Sequence, residues 1–111
     1  MKVGVIEHFD SMHLLPGHIK CGVPHGHTYK VEVTVEGIVS NGMVIDFDLL
    51  KKNLREVIKS MDHVDLNKII QFPSCENLCT FIHQRLAPVM PGKTITVRIW
   101  EGEGKWAECS G

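Results

Sequence analysis

The sequence is informative first through what it lacks. Neither acidic nor basic residues form a long run, and the 12 Lys and Arg nearly balance the 13 Asp and Glu, so no basic surface for nucleic acid is indicated. No apolar stretch approaches the ~20 residues that a membrane span requires. The start of the chain has no signal-peptide core because Glu7 and His8 interrupt its apolar residues. We therefore expect a cytoplasmic protein that binds neither nucleic acid nor membrane.

Cysteine is present without the spacing of a metal or redox motif. The four cysteines contain no CxxC pair, and without a secretory signal their even number is weak evidence for disulfides. We expect reduced thiols. Cys75 and Cys79 lie four residues apart on a predicted helix, where they could form a metal pair. Buried free cysteine, which behaves as a small hydrophobic residue, is the preferred interpretation.

The predicted elements follow the order ββααββ. Four segments alternate apolar and polar side chains as strands do, namely Val3–Phe9, Thr28–Val39, Thr94–Trp100 and Trp106–Cys109. Asp46 and Ser74 are predicted N-caps of two amphipathic helices. Asp10–Gly26, which contains two prolines, is predicted to be a long irregular connection. The pattern predicts one α+β domain over residues 1–111, an antiparallel sheet with both helices on one face.

Histidine is the residue type in excess. The chain has 7 histidines, and His25-Gly26-His27 places two at the start of a predicted strand, where both side chains point to the same side. His13 could supply a third nitrogen if the first two strands pair, which leaves the fourth zinc position open for a substrate. Two alternatives remain. In the first, the motif is a solvated turn with surface histidines. In the second, Cys21 is itself a ligand in a structural site of Cys and His.

Six motifs are spaced along nearly the whole chain. They are Phe9–His13 (FxxxH), Cys21–His27 (CxxxHGH), Gly42–Phe47 (GxxxDF), Met61–His63 (LDH, with Met for Leu), Pro73–Leu78 (PTxEN) and the late acid Glu101. Their content and order resemble those of the 6-pyruvoyltetrahydropterin synthase and 6-carboxytetrahydropterin synthase family. The family often has Thr after the late Glu, where this chain has Gly102.

The resemblance implies a site. The implied zinc ligands are His13, His25 and His27, the implied proton-transfer residues are Cys21, Asp62 and His63, and the implied pterin-binding residues are Glu101, Ser74 and Glu76. In relatives the proton-transfer group is completed across a subunit boundary. Simpler interpretations also exist: Asp62 as a turn residue, His63 as a surface residue, Ser74 as an N-cap and Glu101 as an exposed hairpin acid.

The resemblance also implies the tunnelling fold, in which four-stranded sheets join edge to edge into a closed barrel as a homotrimer or homohexamer. The implied activity converts 7,8-dihydroneopterin triphosphate to 6-carboxy-5,6,7,8-tetrahydropterin, with release of acetaldehyde and triphosphate, on the route to queuosine or archaeosine. Phosphate-binding candidates are Lys20, Lys30, Arg98 and Lys105.

Three other functions stay open. A 6-pyruvoyltetrahydropterin synthase eliminates triphosphate and retains the carbon side chain. An aldolase-like folate-pathway enzyme cleaves dihydroneopterin, but in such enzymes Glu typically replaces the motif cysteine, which here is Cys21. A noncatalytic zinc-stabilised binding module would keep the metal without turning over a pterin.

Overall fold

A computed structural model describes residues 1–111 and confirms the predicted order of elements. The elements are β1 (Lys2–His13), β2 (His25–Glu36), α1 (Phe47–Lys59), α2 (Cys75–Leu86), β3 (Thr94–Glu101) and β4 (Lys105–Ser110). The strands form one antiparallel sheet in the order β1-β2-β3-β4, and both helices pack on one face of it. The α+β architecture is therefore confirmed. Neither helix combines the length and the apolar character that crossing a bilayer requires.

The core lies between the sheet and the helices. Alternate residues of the two central strands are completely buried on the helix-facing side, because successive strand side chains point to opposite faces. These residues are Tyr29, Val31, Val33, Val35, Ile95, Val97 and Ile99. Leucines and isoleucines of both helices cover them, among them Leu50, Leu54, Leu78, Ile82 and Leu86. This packing makes the sheet a rigid platform for side chains at its ends.

Both predicted N-caps are confirmed. The Asp46 side chain accepts the backbone N–H of Asp48 at 2.7 Å, and the Ser74 hydroxyl accepts the backbone N–H of Asn77 at 3.1 Å. Each bond satisfies an amide that the first turn of a helix leaves without a partner. The caps fix where each helix begins. Pro73 stands immediately before the cap of α2.

The prediction of a long irregular connection at Asp10–Gly26 is wrong at both ends. β1 continues to His13 and β2 already begins at His25, so that only residues 14–24 lie outside the strands. Residues 10–13 pair with β2, and this pairing outweighs the weak strand preference of their polar side chains. The second strand also ends before Val39, at Glu36, because its partner Lys2 is the first residue of β1.

Candidate active site

Three histidines meet at the end of the β1–β2 ladder. His13 lies directly opposite His25, and His27 follows two residues later on the same face of β2. Their candidate ligand nitrogens all lie within 4.8 Å of one another. His13 and His25 approach most closely, with 2.9 Å between their Nε2 atoms. The structure thus brings together the three predicted zinc ligands.

Backbone carbonyls orient two of these rings. Nδ1 of His13 donates to the carbonyl of Pro73 at 2.7 Å, and Nδ1 of His25 donates to the carbonyl of Val23 at 2.8 Å. Because a carbonyl only accepts, each neutral ring has its proton on Nδ1 and directs the Nε2 lone pair toward the cluster centre. Metal-bound histidines commonly use this arrangement, in which the second nitrogen donates to a carbonyl or carboxylate.

The third ring supplies the test of whether a metal fits. Nε2 of His27 is buried and has no hydrogen-bond partner. Burial lowers the pKa of His27; the charge of Glu101 opposes this effect, and the two neighbouring histidines reinforce it. The ring therefore favours its neutral form, which is the form that binds metal. Three imidazole nitrogens, one of them without a hydrogen bond, fit Zn²⁺ with one coordination position open.

Glu101 borders the histidine cluster at the end of β3. Its Oε1 lies 3.3 Å from Nε2 of His27 and 3.7 Å from Nζ of Lys105, and its Oε2 lies 4.0 Å from Nε2 of His13. The Glu101 side chain is only 13% exposed, so its interpretation as an exposed hairpin acid is wrong. Its carboxylate is held between a cation and two imidazoles. Binding of a pterin by Glu101 stays a prediction.

Asp62 and His63 form a second polar group just after α1. Oδ1 of Asp62 accepts the backbone N–H of Asp10 at 3.0 Å and contacts Nδ1 of His63 at 2.8 Å. The Asp10 N–H bond and, after it, the His63 bond hold the pKa of Asp62 below its usual value. The Asp62 carboxylate therefore stays ionised at neutral pH and keeps one nitrogen of His63 occupied.

His63 is held in an uncommon backbone conformation. Its φ of 54° lies in the left-handed region, and its N–H donates to the carbonyl of Asp10 at 2.6 Å. Its side chain is nevertheless 76% exposed. An exposed imidazole with a fixed backbone and an orienting carboxylate is suited to proton transfer, although each residue alone would pass for a turn or surface residue.

The loop after α1 reaches the histidine cluster because it runs along β1. The backbone N–H of Met12 donates to the carbonyl of Val64 at 3.1 Å, and the N–H of Leu14 donates to Oδ1 of Asn67 at 2.9 Å. Met12 also forms an isolated parallel bridge with Asp65. These long-range bonds fix His63 relative to the three clustered histidines.

An open depression of about 900 Å³ connects the two groups. His27 and His63 both line it, together with Thr28, Asp65 and Lys68. Its volume lies within the range of ligand-binding pockets, roughly 300–1,000 Å³. Sequence reasoning missed Thr28 and Lys68, because only the pairing of the loop with β1 distinguishes them from ordinary surface residues.

Cys21 makes its hydrogen bonds within its own loop rather than with either group. It sits in the 14–24 loop, where its N–H donates to Nδ1 of His18 at 2.8 Å and its carbonyl accepts the N–H of Leu15 at 2.7 Å. The loop is tight, since a Cβ on Gly22 would come within 2.4 Å of the His18 carbonyl oxygen. No hydrogen bond joins Cys21 to the histidine cluster or to the Asp62–His63 pair.

The remaining predicted binding residues have structural partners of their own. The Ser74 hydroxyl is used as the cap of α2, and Glu76 is an exposed acid in the first turn of that helix. No hydrogen bond joins either side chain to the histidines, whereas the backbone carbonyl of the neighbouring Pro73 accepts one from His13. Three of the four phosphate candidates are already paired, in the pairs Lys30–Glu32, Arg98–Glu108 and Lys105–Glu101.

Comparison with known proteins agrees with this geometry. A family model described as 6-pyruvoyl tetrahydropterin synthase matches residues 2–111. An Archaeoglobus fulgidus protein provisionally named as a 6-carboxy-5,6,7,8-tetrahydropterin synthase is 46% identical over 110 residues, covering 97% of this chain and 94% of that protein. The dihydroneopterin monophosphate aldolase of Pyrococcus furiosus is 44% identical over 80 residues, covering 70% of each chain.

Solved structures share the fold. The 6-pyruvoyl tetrahydropterin synthase of Caenorhabditis elegans superposes with a TM-score of 0.87 at 24% identity, covering 100% of this chain and 95% of that one. The family model spans almost every residue, and the histidine cluster lies on motifs that first indicated the resemblance. This chain therefore belongs to the 6-pyruvoyl tetrahydropterin synthase family.

Proposed function

We propose that this chain is a zinc-dependent lyase that acts in the cytoplasm on 7,8-dihydroneopterin triphosphate. With water, the substrate yields 6-carboxy-5,6,7,8-tetrahydropterin, acetaldehyde and triphosphate, for the synthesis of deazaguanine nucleosides such as queuosine or archaeosine. The observation that carries the proposal is the cluster of three histidines, whose candidate ligand nitrogens lie within 4.8 Å of one another beside a depression that His63 also lines. The similarity to the Archaeoglobus fulgidus protein supports the carboxy product.

The three histidines are the proposed zinc ligands. His13 and His25 are pre-oriented by backbone carbonyls, and His27 brings a buried nitrogen that makes no hydrogen bond. When bound, zinc supplies a Lewis acid that stabilises negative charge on a substrate oxygen. The ligand geometry is set by paired strands, which hold side chains more rigidly than a loop does.

Proton transfer is assigned to the chain's own acids and bases. The Cys21 thiolate accepts a proton from a side-chain carbon of the substrate. His63 moves protons through Nε2, because its Nδ1 is engaged by the Asp62 carboxylate. Glu101 accepts two parallel N–H bonds from the pterin ring, for which it turns away from His27, and Ser74 and Glu76 help to fix the ring.

A homotrimer or homohexamer is proposed to complete the site. β1 and β4 are the edge strands of the sheet and leave backbone groups free for pairing with other chains. Edge-to-edge assembly brings the Cys21 loop of one chain to the Asp62–His63 pair of another. This arrangement accounts for the lack of a hydrogen bond between Cys21 and that pair within one chain.

Mixing two inactive variants tests the shared site. Cys21→Ala and His63→Ala chains are each expected to be inactive, whereas refolding them together restores activity at about one quarter of the sites by random association in a symmetric oligomer. Pterin turnover before and after co-refolding is the measurement. Two Cys21→Ala samples refolded together serve as the control. If verified mixed oligomers show no restored activity, Cys21, Asp62 and His63 must act together within one chain.

Aldolase activity is the second candidate. The observation that favours it is the 44% identity to the dihydroneopterin monophosphate aldolase of Pyrococcus furiosus. An aldolase cleaves the three-carbon side chain of dihydroneopterin without eliminating triphosphate. Cys21 argues against it, since enzymes of that type typically carry Glu at this motif position.

Product identification separates the candidates. Zinc-loaded protein is incubated in parallel with dihydroneopterin triphosphate and dihydroneopterin monophosphate, and the products are identified by mass spectrometry. We expect 6-carboxytetrahydropterin and acetaldehyde from the triphosphate. A hydroxymethyl pterin from the monophosphate would select the aldolase, and a product retaining the three-carbon side chain would select the pyruvoyl synthase. No turnover by a verified zinc-loaded oligomer would favour a noncatalytic binding module.

A further inference from the structure

We propose that Cys79 and Cys109 form a site of reversible oxidation that links α2 to β4 by a disulfide. Their Sγ atoms lie 3.3 Å apart although the residues are 30 positions apart in the sequence. Closing this gap to the disulfide bond length of about 2.05 Å requires a movement of little more than 1 Å. The proposed pterin chemistry uses neither thiol, so this site is independent of it.

The two sulfur atoms are held together by the core. Cys79 is 1% exposed, and its Sγ donates to the carbonyl of Val97 at 3.1 Å and lies 3.6 Å from the carbonyl oxygen of Ala107. Cys109 lies on the helix-facing side of β4 and is partly exposed. The third thiol on this face, Cys75, donates to the carbonyl of Ile99 instead. The contact between Cys79 and Cys109 is therefore fixed by packed elements rather than by a flexible loop.

A low-molecular-weight disulfide such as oxidised glutathione is the proposed oxidant. The more exposed Cys109 attacks it as a thiolate, which forms a mixed disulfide and releases one glutathione thiolate. Cys79 then attacks the Cys109 sulfur and releases the second glutathione. The two cysteines lose two electrons and two protons, and the oxidant takes up both as two thiols.

Burial makes the second step slow at neutral pH. Loss of hydration raises the pKa of the Cys79 thiol, and in the fully reduced pair the hydrogen bond with Cys109 raises it further. Little of the attacking thiolate is present, so the pair stays reduced unless the oxidant persists or the pH rises. Since the bond closes a loop of about 30 residues, the oxidised chain is expected to unfold at a higher temperature, with a Tm increase on the order of 10 °C.

Thiol counting tests the site. Wild-type protein, Cys21→Ala and Cys109→Ala are incubated with oxidised glutathione at pH 8, quenched with acid, unfolded, alkylated and weighed. Wild type and Cys21→Ala are expected to lose two thiols to a bond that peptide mapping places between Cys79 and Cys109. Their Tm should rise, and dithiothreitol should reverse the change. Cys109→Ala is expected to gain no internal disulfide and no Tm increase.

Several outcomes would overturn the proposal, and none depends on the folding of a variant. They are retention of both thiols in wild-type protein under saturating oxidant, glutathione that stays attached to Cys109 without a linked peptide, and a linked peptide that joins other cysteines. Because the readouts are mass and Tm, they also remain valid if the protein turns over no pterin.

Discussion

Replacing His27 by alanine is expected to remove the bound metal and, with it, pterin turnover. The substitution deletes a buried nitrogen that makes no hydrogen bond, with the Glu101 carboxylate 3.3 Å away, while the backbone pairing of residue 27 with Ser11 is retained. Changing a residue that only hydrogen-bonds to a metal ligand costs roughly 10–100-fold in metal affinity, so loss of a ligand itself is expected to cost more than about 100-fold. Zinc per chain, measured by elemental analysis after competition with a chromophoric chelator, checks this expectation.

His8→Ala is the matched control for that experiment. His8 is an exposed histidine of β1, and strand alternation directs it to the opposite face of the sheet from His13. Its removal should change neither zinc content nor turnover. Equal zinc affinity in His27→Ala and wild-type protein would show that the cluster is not the metal site.

Replacing Cys21 by alanine is expected to reduce turnover by about 10²- to 10⁴-fold while zinc stays bound, because the thiolate is assigned as a general base. The measurements are turnover of dihydroneopterin triphosphate and zinc content of the same sample. Stability should change little, since only backbone atoms of Cys21 take part in the loop's hydrogen bonds.

Cys109→Ala under reducing conditions controls for the loss of a thiol in general. Cys109 lies on β4, outside the proposed catalytic groups, and its variant should keep wild-type turnover and zinc. Loss of zinc together with turnover in Cys21→Ala would contradict the assignment of Cys21 as a base. That result would favour the alternative in which the cysteine is itself a metal ligand.

Local sequence signals predicted the fold well where a short segment determines its own structure. Strict alternation identified β2 and β3, and Asp46 and Ser74 marked both helix starts through side-chain oxygens that cap the first turn. The end of β1 was missed. Asp10 and Ser11 have low strand preference by themselves and are extended only because β2 supplies their ladder partners.

Of the candidate site, the clustering of the three histidines was predictable from the sequence, whereas the contacts around them were not. The HGH motif and His13 indicated a metal cluster, since strand geometry places i and i+2 side chains together. The contact between Glu101 and His27 depends on the β2–β3 register, in which Tyr29 pairs with Glu101. The bond from Asp10 to Asp62 spans 52 residues and has no local signal at all. Such contacts follow from the packed fold, so a short stretch of sequence cannot reveal them.

X-ray absorption at the zinc edge tests the central claim most directly, because it counts the ligand atoms of the metal in the intact protein. The three-histidine site predicts three imidazole nitrogens at about 2.0–2.1 Å and one further oxygen, without a sulfur neighbour at about 2.3 Å. The Cys21→Ala spectrum should be the same as that of wild type. A sulfur neighbour that disappears in Cys21→Ala would contradict the account, since zinc would then occupy a closed site of Cys and His ligands.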